Sequence, residues 1–131
     1  MNRELVKRID MALHIQELCS KHAIHVVFGD LYYASRGSRT IGTRPTKNTG
    51  YYVSALHEIG HILGPQQTID DDRLESEIGA WKYAMANAIV WTDVATKIMK
   101  RALMSYGLSE QHWQNVWNEC LSYTQSVKGA A

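Results

Sequence analysis

The chain has 131 residues, enough for one domain, and its 45% apolar and 21% charged content is an ordinary globular balance that excludes collagen, coiled-coil arrays and disordered tails. Fourteen Lys and Arg against thirteen Asp and Glu leave a formal charge of +1, too even for a protein whose main role is to coat nucleic acid. No stretch approaches the roughly 18 consecutive apolar residues of a membrane span, and the opening residues mix charged with apolar side chains where a signal peptide has an apolar core, so a cytoplasmic protein is expected.

From Asn2 to about Lys21, the apolar residues Leu5, Ile9, Met11, Ala12, Ile15 and Leu18 recur at three-to-four spacing and predict an amphipathic helix. Cys19 on this helix and Cys120 near the other end have no CxxC partner, so both read as small buried hydrophobes. Ala23 to Phe28 is short, β-branched and stopped by Gly29 and Asp30, which predicts a strand. Leu31 to Ser35 and Arg39 to Thr43 are the second and third strands, with hairpin-turn chemistry at Arg36, Gly37 and Ser38. Arg36, Arg39, Arg44 and Lys47 have no acidic residue among them, but no aromatic interleaving accompanies them, and they read as a solvated hairpin and loop.

Pro45 to Gly50 is a loop by composition, and Asn48 or Thr49 can cap a helix from about Tyr51. Gly64 and Pro65 should end that helix at Leu63, through a left-handed cap and then a residue that cannot continue. Asp72, Arg73, Leu74 and Glu75 have the form of a capping box opening the next helix, which should break near Trp91, Thr92 and Asp93. Thr92 then starts a helix running to Tyr106 and ended by Gly107, and Ser109 to His112 opens a last one carrying Trp113, Trp117, Cys120, Leu121 and Tyr123. The expected architecture is α+β: an N-terminal helix, a small three-stranded sheet, then four helices. It forms a single domain, 1–131, with 92–131 as a C-terminal helical extension.

His57-Glu58-Ile59-Gly60-His61 is an HExxH sequence. Residues four apart lie one turn above each other on a helix face, so both imidazoles can reach one metal ion while Glu58 stands beside it. Two neutral imidazoles and a carboxylate suit zinc, and Glu58 is placed to take a proton from a water on that ion. By chance such a pentapeptide arises in roughly one or two comparable sequences per hundred. Here it lies in the apolar helical frame of Val53, Leu56, Ile59, Ile62 and Leu63, which favours a metal site over two incidental histidines.

A third protein ligand is needed, and it is not a histidine of the HExxHxxGxxH type, because Gln67 stands at the last position of that pattern. Glu75 and Glu77 are the downstream carboxylates. Glu77 shares a face with Ala80, Trp81, Ala84 and Ala88, a small-residue stripe that permits close packing on the HExxH helix, whereas Glu75 fits the capping box of Asp72. Glu77 is therefore the expected ligand, with Glu75 as the alternative.

The order helix, small sheet, HEIGH helix, then Glu77-Ile-Gly-Ala-Trp on the following helix resembles the minimal gluzincins of the ImmA/IrrE type, over roughly residues 2–88. Trp81 stands where many of those relatives carry Asn. The resemblance implies a zincin-like fold, zinc held by His57, His61 and Glu77, and Glu58 as the base. Such proteins are often carried by phages and mobile elements, and commonly act on repressors or other regulatory proteins. It further implies peptide-bond hydrolysis with the substrate strand laid along the sheet edge near Arg39 to Thr43. A transition-state stabiliser is also required, and Tyr51, Tyr52, His25 and Tyr83 are the candidates. The rival reading is a zinc-stabilised, non-catalytic interaction module whose Trp-rich C-terminal helices bind a partner protein. The presence of Glu58 favours the peptidase, since a purely structural site has no use for a base there.

Overall fold

The computed structural model describes residues 3–130; Met1, Asn2 and Ala131 and the side chains of Arg3, Glu4, Leu5, Val6 and Ala130 lie outside the described part. The element order is α1 (Arg3–Lys21), β1 (His25–Phe28), β2 (Tyr33–Ser35), β3 (Thr40–Thr43), α2 (Thr49–Leu63), α3 (Arg73–Asn87), α4 (Asp93–Ser105) and α5 (Glu110–Ala130). This is the α+β arrangement that the sequence predicts.

Local chemistry sets most of the boundaries. The side chains of Asn48, Asp72 and Thr92 accept hydrogen bonds from the Tyr51, Glu75 and Ala95 amides and so cap α2, α3 and α4. Gly107, at φ 105°, closes α4 in the left-handed region where glycine is favoured. Gly64 departs from expectation: its backbone is extended, at φ −81° and ψ 174°, so α2 does not end in a left-handed cap. The left-handed residue is Gln66, at φ 63°, which turns the chain back toward α3 after Pro65 has stopped the helix. Strand β2 is also shorter than expected, leaving Leu31 and Tyr32 in a loop, with Leu31 73% exposed.

The sheet order is β1-β3-β2, with β1 parallel to β3 and β2 antiparallel to it; Val26 and Ala34 both face Ile41. β3 is therefore the central strand, which overturns Arg39 to Thr43 as a docking edge, since both sides of Thr40–Thr43 are already hydrogen-bonded. The free edges belong to β1 and β2.

One continuous core joins the sheet to the helices. Ile41 of β3 and Tyr52, Val53, Leu56 and Ile59 of α2 are fully buried, and Met11, Ile15 and Cys19 of α1 close one side. Ile9 and Ala12, expected on that stripe, are exposed instead. Met99 and Leu103 of α4 and Val116 and Cys120 of α5 close the rest, with Trp113 and Trp117 packed against them. Burial pushes the Cys19 thiol up to about 11 and that of Cys120 up to about 12, so both stay protonated and unreactive. Among the described residues no helix is long and apolar enough to cross a membrane.

A polar pin crosses this core. The Ile89 amide donates to the Tyr52 hydroxyl at 2.9 Å, and that hydroxyl lies 2.6 Å from His14 Nδ1, tying α1, α2 and the chain after α3 together. With one lone pair of its oxygen taken by the Ile89 N–H, the phenol donates its own proton to an unprotonated Nδ1. Burial lowers the His14 pKa from 6.5, against the opposing charge of Glu17. A histidine depressed on folding adds stability above its unfolded pKa and loses it as pH falls through the lower folded value. Wild type should therefore lose its advantage in melting temperature over His14→Asn, which keeps an acceptor but does not titrate, only below about pH 6.5. Parallel melting curves from about pH 8 to 5 check this, and a constant difference across that range would count against it.

Candidate metal centre

Three functional side chains meet because α2 and α3 pack unusually closely. A Cβ added to Gly60 would lie 2.4 Å from the Ala80 carbonyl oxygen, and one added to Gly79 would lie 1.9 Å from that of Pro65. The x-x of HExxH thus supplies a helix-contact glycine, and Ala80 and Ala84, both fully buried, face it as the small-residue stripe requires. This contact carries Glu77, at the start of the second turn of α3, to the histidine face of α2.

His57 Nε2 lies 2.8 Å and His61 Nε2 2.6 Å from the same oxygen, Oε2 of Glu77. Their ring centroids are 4.7 Å apart at 70°, the expected relation for positions one turn apart. Glu77 is 2% exposed and His57 is buried. Burial alone would raise the Glu77 pKa, but hydrogen bonds from both imidazoles overcome it and hold the carboxyl well below its usual range. Burial disfavours charge on His57, yet Glu58 and Glu77 outweigh it and its pKa is raised.

His57, His61 and Glu77 form a group able to hold a metal ion, their ligand atoms all lying within 4.8 Å of one another. Two imidazole nitrogens and one carboxylate oxygen are a donor set used by zinc. Glu75 is exposed at the start of α3 and takes no part; its backbone N–H, not its side chain, makes the bond to Asp72.

The triad opens into a cleft of about 530 Å³ walled by Tyr32 to Ala34 and Arg36 on one side and by Thr68 and Asp71 to Arg73 on the other. Glu58 also lines it and is buried, with Oε1 3.5 Å from His57 Nδ1, beside the converging ligands rather than among them. Trp81 stacks on His57 at 4.4 Å and 18°, a rigid wall that fixes the ring plane. Arg73 Nε is 3.6 Å from Glu77 Oε1, and Arg73 also donates to the Tyr106 hydroxyl at 3.1 Å.

Several sequence expectations shift here. None of Tyr51, Tyr52, His25 and Tyr83 lines the cleft, whereas Tyr32, Tyr33 and Tyr106 do. Tyr52 is committed to His14 and Ile89, Tyr83 is packed in the core, Tyr51 borders a separate cavity with Arg44, and His25 sits on the outer strand β1. Sequence reasoning also passed over Gln67 and Ser76, which contact His61 Nδ1 at 3.1 and 3.4 Å. The signal for Gln67 was its place six residues beyond His61, just after a helix stop. Comparison with protein-family models, with curated proteins and with solved structures finds no match for the chain.

Proposed function

We propose that the protein is a zinc-dependent metallopeptidase of the gluzincin kind, acting in the cytoplasm on a protein or peptide substrate, with a regulatory protein as the class its family resemblance suggests. The observation that carries this reading is the convergence of His57, His61 and Glu77 in the floor of a cleft that also holds the buried carboxylate of Glu58.

His57 Nε2, His61 Nε2 and a Glu77 oxygen would hold the ion, and the Glu77 carboxylate would offset part of its charge. Zinc, when bound, lowers the pKa of a water and polarises the scissile carbonyl. Glu58 accepts the proton of the attacking water and returns it to the leaving amine, a role open to a cleft-lining carboxylate that is not itself a ligand. The free edge of β2, where Tyr33 and Ala34 border the cleft, offers backbone groups to an extended peptide. Arg36, Arg73, Asp71 and Asp72 all line this groove, so its walls carry charges of both signs.

Elemental analysis should find about one zinc per chain. Glu58→Gln should keep zinc and fold while hydrolysis of a quenched-fluorescence peptide library falls by about 10²–10⁴-fold. Cleavage by that variant at the wild-type rate would show that the activity does not use this centre, and the non-catalytic zinc-stabilised interaction module would then be the better description.

A further inference from the structure

The α2–α3 connection holds a residue that no part of the proposed reaction uses, Gln67, and its hydrogen bonds are unusually complete. Its Nε2 donates to the Pro65 carbonyl at 3.1 Å and to the Ser76 carbonyl at 2.6 Å. Its Oε1 accepts from the Ser76 hydroxyl at 2.7 Å and lies 3.1 Å from His61 Nδ1. The amide cannot be turned end for end, because that would set Oε1 against two backbone carbonyl oxygens. The oxygen end therefore faces His61. An acceptor opposite Nδ1 keeps a hydrogen there, so that when a metal replaces the Nε2–H contact with Glu77 the neutral ring retains its Nδ1 hydrogen and turns the Nε2 lone pair to the metal position.

The backbone supports this placement. Gln66 is held at φ 63°, a conformation costly for a residue with a Cβ, and its side chain is tied to the Glu75 carbonyl at 3.0 Å and to Lys82 at 2.7 Å. Pro65 ends α2 and contributes one of the carbonyls that orient the amide. The turn thus folds back and presents Gln67 to the side of His61 away from Glu77.

We infer that Gln67, steadied by Ser76, is a positioning residue that fixes the Nδ1–H tautomer and ring orientation of His61 for metal ligation. This rests on the metal-centre reading but makes a separate claim, about a residue outside the three ligands. Among the described residues His57 has no equivalent amide. Its ring is set instead by Trp81 stacking and by Glu58, so the two imidazoles are positioned by different means.

The test uses the full chain as wild type, Gln67→Leu and Ser76→Ala. Zinc affinity is measured by competition with a chromophoric chelator, and thermal melting of each metal-free protein reports the fold. Gln67→Leu should bind zinc about 10–100-fold more weakly, with Ser76→Ala weakened less. Nitrogen-15 imidazole spectra of the zinc-loaded wild type should show His61 protonated at Nδ1 and metal-bound through Nε2, a readout that survives even if Gln67→Leu does not fold. Wild-type affinity in a folded Gln67→Leu, or a zinc-loaded His61 without the Nδ1 hydrogen, would overturn the assignment of Gln67 alone. A wild type that takes up no zinc would instead defeat the underlying metal-centre reading.

Discussion

Glu77→Gln should shed zinc under mild chelation, with affinity lowered by at least about 100-fold, while Glu75→Gln keeps wild-type affinity. The two carboxylates are two residues apart on one helix, yet they occupy opposite environments: Glu77 is 2% exposed with Oε2 against both imidazoles, and Glu75 projects into solvent. An amide in place of the Glu77 carboxylate would lose the charge that offsets the ion and would leave one of its two ends a poor partner for the imidazoles. Glu75 makes no return hydrogen bond to the Asp72 amide, so only half of a capping box is present and its substitution should leave melting nearly unchanged. Chelator competition and melting of both variants check this. Equal zinc retention by both would place the third ligand elsewhere, with Asp70, Asp71 and Asp72 the nearest remaining carboxylates in sequence.

Gly60→Ala and Gly79→Ala should each destabilise the protein by about 2–3 kcal/mol and weaken metal binding as well, although alanine is the better helix former by about 1 kcal/mol. Packing wins over propensity because the added methyls meet backbone atoms that cannot rotate away: the Ala80 carbonyl oxygen at 2.4 Å in one case and that of Pro65 at 1.9 Å in the other. Relief requires α3 to move away from α2 in the first case and from the Pro65–Gln66 turn in the second, and either shift disturbs the placing of Glu77 against His57 and His61. Denaturant unfolding gives the stability change and chelator competition the affinity change. A Gly60→Ala protein more stable than wild type would show that the helices are less tightly apposed than described.

What the sequence made legible was local. HExxH placed two imidazoles on one face, the caps at Asn48, Asp72 and Thr92 follow from side chains that bond their own helix ends, and small residues at 80 and 84 distinguished Glu77 from Glu75. What was hidden depends on long-range pairing or on backbone geometry. Strand order is one case: nothing local to Thr40–Thr43 shows that both of its sides are taken, so the edge was assigned to β3 when β2 borders the cleft. Gly64 is another. It reads as a left-handed cap, yet it is a glycine because a Cβ would lie 2.5 Å from the Gly60 oxygen and 3.0 Å from the Tyr83 Cβ. Aromatic candidates for the transition state failed for a similar reason, since whether a tyrosine reaches a cleft depends on partners, as with Tyr52 and His14, that periodicity does not reveal.

The close crossing of α2 and α3 has a kinetic consequence. His57 and Glu77 are 20 residues apart in sequence, joined by one helical hairpin, so the chain entropy lost in bringing them together is small. The parallel pairing of β1 with β3 closes a similar span, His25 to Thr40, around the short β2–β3 hairpin. Both closures are therefore local, and an ion captured by the helical hairpin early in folding would act as a template on which the rest of the domain condenses.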